Sequence, residues 1–371
     1  MRAIQFRSYG GRLDLVELAD PAAPDDGAVV RVEATGICRS DWHGWQGHDP
    51  DITVPHVPGH EFAGVVDSVG RAVRLWHGGE RVTAPFVCAC GTCRSCARGD
   101  QQVCERQTQP GFTHDGSFAE YVVVRHADVN LVRLPDPVDA VSAAALGCRF
   151  ATAYRAVVQQ ARPAPGDWVA VHGCGGVGLS VVMIAVVSGA RVVAVDVSPE
   201  ALSVASELGA EASINPATLV DPAGRPDGIA DAAAAIGAAV REVTAGGAKI
   251  SIDALGSLST CAASIHSLAR RGRHVQVGLL PPALGIPPIP MDLVIGTELE
   301  IVGSHGMAAH AYPPMLAAVE SGALRPERLV TRRVGLDAVH QVLEEMSGPL
   351  PSVPGITVAL PRQDADEPIT S

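Results

Sequence analysis

Twelve residues, "VAVHGCGGVGLS" from Val169 to Ser180, constrain the fold more than any others. An apolar, β-branched run leads into Gly173, Gly175, Gly176 and Gly178, and the helical pattern "GVGLSVVMIAVVSGA" follows. Glycines at this spacing turn the chain tightly and let a pyrophosphate approach the backbone at a helix N-terminus, where the dipole is positive. Alone, the motif is weak. Its context strengthens it: the next strand, "RVVAVD", ends at Asp196. A carboxylate there accepts bonds from the adenosine ribose hydroxyls and repels a 2′-phosphate. The following "VSPEALS" holds no Arg or Lys to bind that phosphate. The expected cofactor is NAD rather than NADP.

The alternation continues. "SPEALSVASELGA" reads as a helix, and "KISIDAL" and "GRHVQVGL" read as strands around the helix "TCAASIHSLARRG". Strand and helix in turn make βαβ units and a parallel sheet. The fold class is therefore α/β, with a Rossmann doubly wound domain over 148–290. Before it, "AVVRVEATGI" and "EFAGVVDSVG" are β-rich segments bounded by glycines. The 371 residues are ample for two cores. Residues 1–147 read as a β-rich region before that domain, and residues 291–371 return to mixed elements after it. Residues 215–232, rich in Pro, Gly, Asp and Ala, read as an exposed loop leading into a surface helix.

Composition excludes some classes. A hydrophobic share of 47% with 18% charged residues suits a packed globular chain. The formal charge of −12 argues against general affinity for nucleic acid or an anionic membrane. The uncharged stretch Trp168–Ala190 is better explained as strand, turn and helix than as a membrane span. The N-terminal "MRAIQFRSYGG" lacks the apolar run of a secretory signal, so the cytoplasm is the expected location.

Nine cysteines in such a chain favour metal binding or catalysis over disulfides. "CGTCRSCARGDQQVC" spaces Cys90, Cys93, Cys96 and Cys104 as C-x2-C-x2-C-x7-C. Thiolates at two-residue gaps converge on a tetrahedral ion, and four of them leave no open position. A structural zinc is expected, with an iron–sulfur cluster as its rival. Cys88 lies outside the pattern. A second group is scattered: Cys38 in "GICRSDWHG", His60 and Glu61 in "VPGHEFAG", and Cys148 in "LGCRFATAYRA". From its own surroundings Cys38 is open to three readings: metal ligand, redox thiol or nucleophile.

Taken together, "GICRSD", "GHEFAG", the cysteine quartet, "LGCRFATAY", "GCGGVG" and "VGSHG" resemble the zinc-dependent alcohol dehydrogenases of the medium-chain dehydrogenase/reductase superfamily. The likeness runs from residue 1 to about 360. It implies a GroES-like catalytic domain built from both chain ends around an inserted Rossmann domain. It also implies two zinc ions per chain and NAD. Cys38, His60 and Cys148 match the catalytic zinc ligands, with Glu61 beside or on the metal. Asp41 matches the residue that orients the zinc-bound histidine. Ser40 and His43 match the relay that takes the alcohol proton. Arg39 matches a pyrophosphate-binding arginine. Thr152, Val177 and Val277 fall at cofactor-contact positions, with Gly173, Gly175, Gly176, Gly178 and Asp196. Phe86 matches a ring of the substrate pocket, and Trp42 and Trp45 are expected to extend it. His48 and Asp49 in "GHDPD" suggest room for a polar or amino-bearing alcohol. The implied partner is a small alcohol or aldehyde, and a homo-oligomer, dimer or tetramer, is expected. A polyol or amino-alcohol dehydrogenase on the same scaffold stands as the alternative, and a non-catalytic zinc- and NAD-binding protein as the reading from another class.

Overall fold

Six parallel strands carry the middle of the chain. In a computed structural model that describes residues 1–219, 228–280, 285–348 and 354–362, they lie in the order Ala212–Ile214, Arg191–Val195, Trp168–His172, Ala248–Asp253, Leu268–Gln276 and Glu300–Gly303. Every neighbouring pair is parallel. By chain order this is the doubly wound arrangement 3-2-1-4-5-6. The order reverses between Trp168–His172 and Ala248–Asp253, and ligands of such sheets bind at the carboxyl ends beside that reversal. The helix Gly176–Val187 is buried from Gly178 through Ala185, on all sides. Its uncharged character is that of a core helix. Among the described residues, no helix is long and apolar enough to cross a membrane.

Chain contacts separate two units, one of Met1–Ala151 with most of the chain after Gly306, the other of Thr152–His305. These limits differ from those expected, 147/148 and 290/291. The strand Glu300–Gly303 belongs to the parallel sheet, and the proline-rich run before it, "PPIPMDLVIGT", masked its pattern. Cys148 falls with the first unit. Part of the 215–232 segment, residues 220–227, lies outside the described residues. The described remainder is a short turn at Pro216–Thr218 and the start of the helix Ile229–Val243, which buries one face through Ala233, Gly237 and Val240.

The first unit is built on a seven-stranded mixed sheet. Its order is Val330–Gly335, Ile356–Leu360, Ala28–Ile37, Glu61–Val69, Arg81–Thr83 and Val132–Arg133, with Tyr121–Val124 also paired to Ala28–Ile37. The late strand Ile356–Leu360 pairs antiparallel with Ala28–Ile37, so distant parts of the sequence share one sheet. Ala28–Ile37 and Glu61–Val69 are antiparallel, with Gly36 opposite Glu61. That register places the end of one strand, just before Cys38, beside the start of the other, just after His60.

Candidate active site and structural metal centre

The quartet of cysteines folds on itself in a loop. Cys90, Cys93, Cys96 and Cys104 are buried, unbridged thiols. Their sulfurs lie 3.4 Å (Cys93–Cys96), 3.7 Å (Cys93–Cys104) and 4.0 Å (Cys90–Cys96) apart. Sulfurs about 2.3 Å from a tetrahedral zinc sit about 3.8 Å from one another. The backbone N–H groups of Cys90 and Arg106 both donate to Cys104 Sγ. Burial raises all four thiols, but the N–H and hydroxyl donors around Cys90 outweigh it and bring that thiol down to about 5. Cys96, desolvated and facing its neighbours' sulfurs, is pushed up to about 12. Asn130 anchors the loop by two hydrogen bonds to Ala89, donating to its carbonyl and accepting from its N–H. Cys88 is buried outside the cluster, its thiol raised to about 12 by desolvation.

The scattered residues also converge. One ligand atom from each of Cys38, His60, Glu61 and Cys148 falls within 4.8 Å of the others. Cys38 directly follows the strand Ala28–Ile37 and caps the helix Arg39–Trp45. Asp41, buried in the first turn, accepts at Oδ2 from the Cys38 N–H (2.8 Å) and at Oδ1 from Gly59 N–H (3.1 Å) and His60 Nδ1–H (2.8 Å). That last bond leaves the lone pair of His60 on Nε2, which is buried and has no hydrogen-bond partner among the described residues. Cys148 lies on a π-helical turn, Leu146–Phe150. Such turns re-aim side chains and recur at functional sites.

Electrostatics tie the pieces together. The hydrogen bond from Cys148 draws the Cys38 thiol well below its usual value, against burial and with help from Arg149 and His60. The same bond, with burial, pushes Cys148 well above it. Burial disfavours the His60 cation, but the charge and hydrogen bond of Asp41 more than reverse this and hold its pKa well above the ordinary value. Glu61 is wholly buried and bound through both oxygens by the Arg149 guanidinium, whose Nε lies 3.1 and 3.0 Å from them. The Arg149 backbone N–H donates to Glu61 as well (2.8 Å). Burial raises the Glu61 carboxyl and Arg149 pulls it back. A Cβ on Gly36 would lie 2.5 Å from Glu61 Oε2, so the glycine before Ile37 makes room for this ion pair.

Thus an imidazole nitrogen and two sulfurs converge with a carboxylate held to one side. This donor set suits zinc with three protein ligands and an open position. The Phe86 and Phe112 rings face His60 at 6.2 and 5.3 Å.

The dinucleotide loop also has the shape of its expected ligand. Gly173 takes a left-handed conformation (φ +89°), and a Cβ on Gly178 would strike its carbonyl oxygen at 1.8 Å. At Gly175 a Cβ would meet open space, leaving the backbone approachable. Gly176 and Val177 begin the helix. Asp196 accepts from the N–H groups of Cys174 (2.6 Å) and Ser198 (2.8 Å), which fixes its carboxylate at the end of its strand. Val277 follows the strand Leu268–Gln276, its N–H bonded to the Asp253 carbonyl. The hydroxyl of Thr152 is buried and without a partner among the described residues.

The alcohol dehydrogenase GroES-like domain family matches residues 24–136, and the zinc-binding dehydrogenase family matches residues 176–321. An alcohol dehydrogenase of Geobacillus stearothermophilus is 34% identical over 82% of this chain and 84% of its own. An NAD-dependent alcohol dehydrogenase of Saccharolobus solfataricus is 30% identical over 93% and 96%. The solved structure of an alcohol dehydrogenase from Thermus sp. ATN1 superposes with a TM-score of 0.83 at 31% identity, over 97% of this chain and 99% of that one. The chain belongs to the zinc-dependent alcohol dehydrogenase family.

Within this family member, Trp45 lies other than the sequence suggested, and Trp42 and Arg39 have partners the sequence did not show. Trp45 was expected beside the substrate. It is buried in the core with Ile37, Ile52 and Leu343, its Nε1–H donated to the Gly11 carbonyl, because it falls on the inner face of its helix. Trp42 leans on the same core and donates to Ser347 Oγ (2.7 Å). Arg39 stacks over Trp42, 4.2 Å from the ring centroid, and donates to the Met346 carbonyl. Sequence reading missed Arg149 and Phe112. A signal for Arg149 existed: a charge directly follows each of the candidate ligands His60 and Cys148, and the two are opposite in sign. Leu255, 60% exposed beside Gly173 where the strand order reverses, was also missed.

Proposed function

We propose that the protein interconverts small primary or secondary alcohols with aldehydes or ketones, using NAD(H) and two zinc ions per chain. The observation that carries this reading is the convergence of Cys38, His60 and Cys148, with the His60 Nε2 lone pair buried and unpartnered among the described residues. Bound zinc supplies a Lewis acid that lowers the pKa of the alcohol hydroxyl. Bound NAD supplies the hydride acceptor, and its reduced form the donor in reverse.

The chain's own residues do the rest. Asp41 locks the His60 tautomer and ties it to the start of the Arg39–Trp45 helix. Outer-shell carboxylates of this kind hold metal-ligating histidines in place. Arg149 restrains Glu61 at the edge of the ligand set. Ser40 accepts the alcohol proton and passes it toward His43, one turn on in the same helix. Phe86 and Phe112 keep the ground around His60 apolar. Gly173, Gly175, Gly176, Val177 and Gly178 cradle the pyrophosphate, Asp196 reads the adenosine ribose, and Thr152 and Val277 meet the nicotinamide end. Arg39 keeps guanidinium donors beyond the one given to Met346, and these serve a phosphate. The four-cysteine centre has no open position and serves structure alone.

The protein acts in the cytoplasm as a homo-oligomer. The strand Glu300–Gly303 supports assembly: among the described residues it ends its sheet and presents an open edge, with Ile301 exposed.

A single preparation tests the reading. Metal analysis should find two zinc ions per chain, and a panel of alcohols should produce NADH by absorbance, with NADP a poor substitute. One zinc per chain and no alcohol-dependent NADH would overturn it.

A further inference from the structure

The helix Arg39–Trp45 ends in a way that returns the chain over its own last turn. Gln46 caps it, and Gly47 follows with φ +78°. The Gly47 N–H bonds to the Gly44 carbonyl and the His48 N–H to the His43 carbonyl. This is a Schellman closure, whose left-handed position favours glycine. A Cβ at Gly47 would also come 2.9 Å from the Tyr9 ring. The closure brings the His48 imidazole back beside His43, with the two Nδ1 atoms 2.9 Å apart. Both rings stand edge-on to Trp42, at 4.9 and 5.7 Å between centroids. Trp42 is itself held by Ser347 and by Arg39. The pairing is thus set by a helix cap and an aromatic wall.

We propose that His48 is the solvent-side end of the proton relay, taking from His43 the proton that alcohol oxidation releases. The inference rests on the dehydrogenase reading above. The step balances. A proton reaches His43, His43 gives its Nδ1 proton to His48 Nδ1, and exposed His48 loses one proton to water. No electrons move, and exchange with water restores the starting tautomers. In the reducing direction the same path delivers a proton inward.

The surroundings favour onward transfer. His43 is half-buried while His48 is exposed. Burial, then the charges of His48 and Arg39, lower the pKa of His43, while Cys38 raises it. Asp49, next in the chain after His48, spends one oxygen on the Asp51 N–H. A proton arriving at His43 therefore meets a neighbour that is better hydrated and in bonding contact.

The test is His48→Gln, whose amide keeps a hydrogen bond to His43 but cannot pass a proton through. The rate of NADH formation in the first turnover avoids any limit set by cofactor release. Below about pH 7 that rate should fall about tenfold, a modest share of what positioned proton-transfer groups contribute. Imidazole buffer should restore it, with an unchanged melting curve. Nitrogen NMR of the imidazoles, taken without substrate, should show the His48 Nδ1 signal shifting in His43→Asn. A His48→Gln enzyme with the wild-type pH profile, or a deficit that imidazole leaves untouched, overturns the relay while the dehydrogenase reading stands. A wild-type enzyme that forms no NADH with any alcohol removes both.

Discussion

Two clusters of candidate metal ligands in one unit are held by different means. Cys90, Cys93, Cys96 and Cys104 come from a single loop, and amides of that loop point at their sulfurs. Cys38, His60 and Cys148 come from a strand end, a strand start and a π-helical turn. What aligns them is sheet register, the Asp41 carboxylate and the Glu61–Arg149 ion pair. The local cluster needs little beyond its own segment. The distributed one depends on a buried electrostatic frame, and that frame is where it is vulnerable.

The sharpest way to break the comparison is to remove one ligand from each cluster. Cys148→Ala should abolish alcohol-dependent NADH formation and lose one zinc per chain while the fold melts nearly as before. Cys93→Ala should instead lower the melting temperature, because structural zinc binding is folding free energy. Metal analysis with thermal melts reads both. If Cys148→Ala retained both metals, the distributed cluster would not be a metal site.

Next is the frame itself. Arg149→Met strands a fully buried carboxylate and should cost about 3–5 kcal/mol in denaturant unfolding, with loss of the catalytic metal. Adding Glu61→Gln should recover most of it, since removing both charges of a buried pair is far milder than removing one. No recovery would mean that Arg149 matters for packing rather than charge.

Asp41→Asn keeps the side chain's shape but gives up the charge that steadies His60. Zinc affinity at the distributed site should weaken about 10–100-fold, as for other outer-shell partners, and the quartet should be unaffected. Competition with a chelator measures the two sites separately. Equal weakening at both would contradict the division.

The smallest effect concerns Asp139, which caps the helix Ala140–Ala144 leading toward Cys148. Its oxygens accept from the Ser142 N–H (2.9 Å) and Oγ (2.7 Å). Burial raises its pKa, but these bonds outweigh that and leave it lowered. A lowered folded-state pKa means the cap stabilises above the unfolded value of about 3.9 and fades as pH falls through the lower folded one. Asp139→Ala should therefore cost about 1 kcal/mol near neutrality, and the gap from wild type should close in acid. A gap that stayed constant into acid would mean that the cap's charge contributes nothing.

The same contrast explains what was legible in advance. The quartet and the glycine loop could be read because spacing along the chain is itself the geometry: a two-residue gap or a strand–turn–helix decides where the atoms go. The ligand set at Cys38, His60 and Cys148 was reached only through resemblance to a family, since nothing in three separated segments says that they meet. Trp45 was misplaced because an aromatic near a polar motif looks the same in sequence whether its helix face turns inward or out. The role of Arg149 is invisible in "LGCRFATAY", because its partner Glu61 opens a strand 88 residues away.

By itself, the sequence determined the doubly wound domain, the clustering of the four cysteines and the glycine turn, all set by hydrogen bonding and turn geometry over a few neighbouring residues. Tertiary structure alone decided that Gly36 faces Glu61, that Arg149 neutralises that carboxylate, and that His48 folds back on His43. Those contacts follow from strand register and helix closure. Both are settled by burying side chains from distant segments together, and no local pattern records them.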